Sequence, residues 1–301
     1  MNGKSRRFGE QAPELKRIIR SLTAGKGCGM KRKILLGSLL AVLLTALLVC
    51  FTGGAAAEAK WPSGSKNGVK FDGKLKIDVT NSKEGYFMAA VTAKNKKRLK
   101  LRVVMSGETL TYDLNGDGEF EVFPFQLGSG KYNITLYENV KGKTYSTAGS
   151  ISIRVELNRE DGAFLYPNQY VNYSEASAAV AQAEAMCAGM NDKDAYDSIK
   201  KFMTDTFLYD YIKAVTVKAG TLPDIDGCYD KKMGVCQDLS AIMCCMLRTQ
   251  GIPARLIIGY ADKNYHAWIM VSVDGKDMYY DPTAALNAIS KPVSYSVERY
   301  Y

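Results

Sequence analysis

The feature that most constrains the fold is a change of hydrophobic period part-way along the chain. Between residues 66 and 157, short runs alternate apolar and polar side chains, as in Lys74-Leu75-Lys76-Ile77-Asp78-Val79, Tyr86 to Ala90, Leu99-Lys100-Leu101-Arg102-Val103, Glu119 to Phe123, Lys131 to Tyr137 and Ser150 to Val155. A period of two bounded by Gly and Asn turns predicts strands, and many short strands in succession predict an all-β, immunoglobulin-like sandwich. From Ser174 the period becomes about 3.6. Ser174 suits the cap of an Ala-rich helix ending at Cys187 before Gly189, and Asp192 or Asp194 suits the cap of a helix with Tyr196, Ile199, Phe202 and Met203 on one face. A third helix carries Leu239, Ile242, Met243, Met246 and Leu247 and stops at Gly251 and Pro253. Strands are then expected at Arg255 to Tyr260, Ala267 to Val273 and Lys276 to Tyr280, the last two joined by the Asp274-Gly275 turn. Helices followed by an antiparallel sheet, behind an all-β sandwich, make an α+β chain.

With 301 residues there is room for two folded units and an extension. The net charge of +9 suggests a polyanion partner until it is located: ten Lys and Arg fall in residues 1–33 against Glu10 and Glu14, which leaves the rest at about +1. No nucleic-acid partner follows. The basic leader precedes an uncharged apolar run, Ile34 to Phe51. Read from Met30-Lys31-Arg32-Lys33, with small residues at Ala55-Ala56-Ala57 and Ala57-Glu58-Ala59, it is a cleavable secretory signal. Read from Met1, it is a membrane anchor with its basic tail inside. Either route places the chain from about Lys60 onward outside the cytoplasm, secreted or held at the membrane through residues 34–51. The expected organisation is a leader at 1–59, a β-sandwich at 66–157 and an α+β domain at 165–301.

Two features of the sandwich invite over-reading. Asp113-Leu114-Asn115-Gly116-Asp117-Gly118 resembles the start of a calcium loop, but Pro124 stands where a bidentate Glu is needed, so a hairpin turn is expected. The basic run Lys94 to Arg102 interleaves with Leu99 and Leu101 as a solvated strand face does. The sandwich holds no His and no Cys, so a spacer or substrate-presenting role is expected of it.

The chain has one histidine, His266, and histidine is the usual proton carrier near neutral pH. Thirty residues earlier, Cys236 sits where a loop enters the third helix. Helix-start amides and the positive dipole end favour a thiolate there, and the same amides suit an oxyanion. Asp281 ends the strand after the Asp274-Gly275 turn. Counting back across that turn sets Asp281 opposite His266, where a carboxylate orients an imidazole whose other nitrogen meets the sulfur. The other cysteines, Cys187, Cys228, Cys244 and Cys245, lack the spacing of a zinc set, and one histidine does not complete one. No metal and no cofactor are expected. Cys244 and Cys245 read as buried small hydrophobes. A disulfide at Cys187 or Cys228 is not fixed by spacing. Trp268 and Tyr260 either line an acyl site or fill the core.

These blocks resemble the transglutaminase-like superfamily: Gly234-Val235-Cys236-Gln237-Asp238, Met246 to Arg255, Gly259-Tyr260, His266-Ala267-Trp268 and Asp281-Pro282-Thr283, in that order. More loosely, Tyr137-Glu138-Asn139 and Pro167-Asn168-Gln169-Tyr170 resemble bacterial extracytoplasmic members with a sandwich before the core. The resemblance implies a papain-related core in which Cys236 is the nucleophile, His266 the acid and base, and Asp281 the orienting group. The expected substrate is a protein or peptide amide, with a cell-wall peptide among the candidates. Hydrolysis is favoured over crosslinking because excluding water needs added walls. The alternative is a non-catalytic envelope protein that binds a partner through the sandwich and a degenerate cleft.

Overall fold

The computed structural model of the chain describes residues 59–289 and 291–301; the basic leader and the apolar run 34–51 lie outside them. Among the described residues no helix is long and apolar enough to cross a membrane. The first half forms β1 (Val69–Asp72), β2 (Leu75–Asp78), β3 (Tyr86–Val91), β4 (Leu99–Met105), β5 (Glu108–Leu114), β6 (Glu121–Pro124), β7 (Gly130–Lys141) and β8 (Thr144–Val155). They make two antiparallel sheets, β1-β2-β3-β6 and β5-β4-β7-β8. Alternate residues such as Leu75, Ile77, Phe87, Leu101, Val103 and Ile134 are fully buried in one apolar layer, as the period of two requires.

The turn at Asp113 to Gly118 departs from expectation. It closes no hairpin: β5 pairs with β4 while β6 pairs with β3, so this loop carries the chain from one sheet to the other. Turn residues allow the reversal, but packing selects the partner, and Phe123 of β6 stacks on Phe87 of β3 at 5.5 Å between centroids. Half of the basic run is paired within the protein. Lys97 meets Glu138 at 2.6 Å, and Arg98 and Lys100 meet Asp113 at 3.2 and 2.8 Å.

The second half contains α1 (Ala178–Cys187), α2 (Asp192–Thr206), β9 (Leu208–Tyr209), α3 (Tyr211–Thr216), α4 (Ile225–Lys231), β10 (Met233–Gly234) and α5 (Cys236–Arg248). There follow β11 (Ala254–Ala261), β12 (Asn264–Val273), β13 (Lys276–Tyr280), α6 (Pro282–Leu286) and β14 (Tyr295–Tyr300). Two helix starts differ from the expected ones. Ser174 lies in a turn ahead of α1, because the Ser177 hydroxyl accepts its amide at 3.1 Å and Ser177 takes the N-cap. Helix α2 is capped by Asn191, whose Oδ1 accepts from the Asp194 amide at 2.9 Å; Asp192 and Asp194 lie one and three residues later, in the first turn, where their charge faces the positive dipole end.

Helix α5 is the buried axis of this half. Residues 238–248 are all buried, and α1, α2, α4, α6, β11 and β12 pack around it. The sheet runs β13-β12-β11-β14. The two halves share one core. Tyr112 of β5 meets Tyr301 edge-on at 6.0 Å, Tyr301 stacks on Tyr170 at 3.5 Å, and the Gln126 side-chain amide donates to the Tyr300 carbonyl. Arg248, with no exposed surface, donates to Ala254 O, Tyr166 O and Tyr301 O at 2.6–2.9 Å. A buried cation without such partners would cost several kcal/mol, on the order of 5.

Candidate active site

Helix α5 begins at Cys236, so the sulfur stands in the first turn, where backbone amides have no intrahelical acceptor. That start is held by Asp238. Its buried carboxylate accepts from the Val235 amide and the Asp224 amide, both at 3.0 Å, and pairs with Lys213 at 2.8 Å. The approach to the helix is tight. A Cβ on Gly234 would lie 2.8 Å from Asp238 Cβ, so only glycine lets the chain pass this close.

His266 lies near the start of β12, half-buried, and Nε2 bonds Asp281 Oδ2 at 2.7 Å. Cys236 lines the same cleft as the imidazole, and with Nε2 occupied by Asp281, Nδ1 is the nitrogen left for the sulfur. Burial pulls the imidazole pKa down, but the hydrogen bond to Asp281 and the nearness of Cys236 outweigh it and raise the value to about 9. Asp281 is the N-cap of α6. Its Oδ1 accepts from the Ala284 amide at 3.0 Å, and Oδ2 accepts from the Tyr295 hydroxyl at 2.8 Å as well as from His266. Burial pushes this carboxyl up, yet His266, the Ala284 amide and Tyr295 together hold it below the ordinary range.

The structure thus brings Cys236, His266 and Asp281 together, by a route slightly different from the expected one. In the β12–β13 ladder Val273 pairs with Lys276 and Ile269 with Tyr280, so continuing the register sets Asp281 opposite Trp268. The hairpin turn is centred between Asp274 and Gly275, both at positive φ, which moves the register by two residues from the count that placed Asp281 opposite His266. Asp281 reaches the imidazole diagonally, from just beyond the strand. Trp268 is buried beside the imidazole, with ring centroids 6.1 Å apart, whereas Tyr260 is exposed and packs edge-on against Tyr265.

Two contributing residues escaped the sequence reading. Tyr295 closes over Asp281 and Trp268, and Arg299 lines the cleft at Cys236, both from β14. The alternation Tyr295-Ser296-Val297-Glu298 was the available signal for a strand there. The cleft has a volume of about 90 Å³, with Tyr170, Thr221, Gln237, Tyr265 and Arg299 around the Cys236–His266 pair. Behind Asp281 lies a larger, mostly apolar pocket of about 530 Å³ between Trp268, Tyr280, Tyr295 and α6.

Among the described residues the other four cysteines, Cys187, Cys228, Cys244 and Cys245, are buried free thiols. Burial pushes Cys187 and Cys228 up to about 11 and Cys244 up to about 12. No disulfide joins Cys187 or Cys228 among the described residues.

Among solved structures, the chain is similar to a candidate cysteine protease of Cytophaga hutchinsonii, at 17% identity over 72% of this chain and 83% of that one, with a TM-score of 0.36. A candidate protease of Parabacteroides distasonis matches at 14% identity over 68% and 62%, with a TM-score of 0.31. Red sea bream transglutaminase matches at 12% identity over 69% and 49%, with a TM-score of 0.29. No curated protein matches. The family model of the transglutaminase-like superfamily matches residues 180–282, a segment that runs from α1 through Cys236 and His266 to Asp281 and the start of α6. Over residues 180–282, this chain carries a transglutaminase-like superfamily core.

Proposed function

We propose that the protein is a thiol acyl-transfer enzyme that cleaves peptide or glutamine-type amides through a cysteinyl thioester. The observation that carries the reading is that Cys236 and His266 line one cleft while Asp281 holds the imidazole at Nε2, leaving Nδ1 for the sulfur. In this reading the Cys236 sulfur attacks the amide carbonyl, and the first-turn amides of α5 receive the developing oxyanion. The Nδ1 proton of His266 goes to the departing amine as the C–N bond breaks, leaving a thioester on Cys236. Asp281 keeps its negative charge throughout and fixes the tautomer.

Hydrolysis is the favoured second half-reaction. The rim residues Tyr265 and Arg299 are exposed, so water reaches the thioester. His266, then neutral, takes a proton from that water as it attacks. Incubating the protein with a glutamine-rich protein and a primary amine, then weighing the products by mass spectrometry, tests this. Release of ammonia or new peptide ends without amine incorporation is the expected result; incorporation of the amine would make the protein a crosslinking enzyme. No change in either, with Cys236 intact, would favour a non-catalytic envelope protein.

The strand order β2-β3-β6 facing β5-β4-β7-β8 supports an immunoglobulin-like reading of the two-sheet region, because that order is a Greek key of this type. The basic leader and apolar segment 34–51 support an extracytoplasmic location, with the chain either secreted or anchored through that segment.

A further inference from the structure

Arg299 stands out among the cations of the described residues because it lines the cleft at Cys236 and no carboxylate lies within ion-pair distance of it. Its side-chain partner is the hydroxyl of Tyr265, itself on the rim. Nothing acidic lines that cleft: the remaining groups are Tyr170, Thr221, Gln237, His266 and apolar or backbone surface. Asp281 is turned away, its two oxygens taken by His266, Tyr295 and the Ala284 amide.

The placement of Arg299 depends on a break in the strand. Ile258 pairs with Arg299, but Gly259 pairs with Val297, so Glu298 is an extra residue in β14. In an unbroken strand, residues 295, 297 and 299 would share one face. The bulge divides them. Tyr295 and Val297 line the pocket behind Asp281, while Arg299 lines the cleft with Ile258 and Ala267. Gly259 makes this possible: a Cβ there would lie 2.0 Å from Ser296 O and 3.1 Å from the Glu298 amide nitrogen.

From this arrangement we infer that Arg299 forms a carboxylate subsite beside Cys236, and that the substrate is a carboxylate-bearing peptide amide. A planar guanidinium with open donors and no internal counter-ion, at the rim of a wall that holds no carboxylate, is built to take a carboxylate through two parallel hydrogen bonds. This inference rests on the thiol acyl-transfer reading and adds the substrate class to it.

Two alkylating reagents separate the claims. Iodoacetate and iodoacetamide both form an S–C bond at cysteine as iodide leaves, and differ in carrying a carboxylate or a neutral amide. Their rates at Cys236 are measured in the full chain by mass spectrometry of the peptide that contains it. The ratio of the iodoacetate rate to the iodoacetamide rate is expected to fall about fivefold to tenfold in Arg299→Gln, the effect of one charge across a partly exposed site. Arg299→Lys should lie between, and Lys131→Gln, which removes an exposed charge on the distant β7, should leave the ratio unchanged. Because Arg299 is exposed, the variants should melt with the parent protein. An unchanged ratio in Arg299→Gln, with Cys236 still reacting rapidly, overturns the subsite and leaves the nucleophile standing. If Cys236 reacts with iodoacetamide no faster in the folded protein than in the unfolded chain, the nucleophile assignment itself fails and the subsite with it.

Discussion

Tyr295 shows how much one hydroxyl contributes to the imidazole beside it. Three donors converge on the Asp281 carboxylate, and Tyr295→Phe removes one of them. The carboxyl should then titrate closer to its ordinary range, moving the acid limb of Cys236 alkylation to higher pH, with a loss of about 1–3 kcal/mol in stability. A profile that superimposes on the parent's would rule out this role. Asp281→Asn should leave the fold intact and lower turnover about 10²- to 10⁴-fold, the usual cost of a wrong tautomer. The sign of the pH effect on stability follows from the same pair. The folded imidazole titrates at about 9 against 6.5 for an ordinary histidine, so its contribution is complete below about 6.5 and is lost as pH rises through about 9. Urea midpoints measured between those values should fall with rising pH in the parent and stay flat in His266→Ala. Cys236, His266 and Asp281 were legible in the sequence because residue types and short motifs carry them. Their exact register was not, since a hairpin turn centred one residue later shifts pairing by two. Arg299 was hidden because a bulge has no fixed sequence signature.

At the scale of elements, the start of α5 depends on a neighbour that carries no chemistry. Asp238 has no exposed surface, and the sole cation beside it among the described residues is Lys213 of α3. Lys213→Met should destabilise the protein by about 2–4 kcal/mol, less than a fully buried pair would lose because the lysine is partly exposed. Chemical denaturation gives the value, and an unchanged midpoint would mean that the two backbone amides alone hold the carboxylate. The helices and the three sheet strands before Asp281 were readable from periodicity. Helices α3 and α4 were not, because they have 6 and 7 residues and show too few turns for a pattern. Residues 295–299 of β14 are all exposed, so the strand has no buried face to mark it, and its alternation stops at Glu298.

For the whole molecule, the sequence separated a sandwich that lacks His and Cys from the half that carries Cys236, His266 and Asp281; strands β1–β8 end at Val155, and the α-helices among the described residues follow them together with six further strands. It did not show that the halves share a core, because contacts such as Tyr112 with Tyr301 join residues far apart in sequence. The sandwich therefore packs as a wall against the half that carries Cys236 and His266 rather than standing as a free spacer. Calorimetry of the full chain should give one transition for the region after residue 58, and Tyr112→Ala should lower its midpoint and cost about 3–5 kcal/mol. Two separated transitions would contradict the shared core.

The position of β14 also sets an order of events. A polypeptide is made from its N-terminus, so the nascent chain holds Cys236, His266 and Asp281 before it holds Tyr295, the residue that closes over the carboxylate. During synthesis the sulfur is present while the last donor to Asp281 is still missing. The surroundings of Asp281 are thus completed only after the sandwich and the helices have been made.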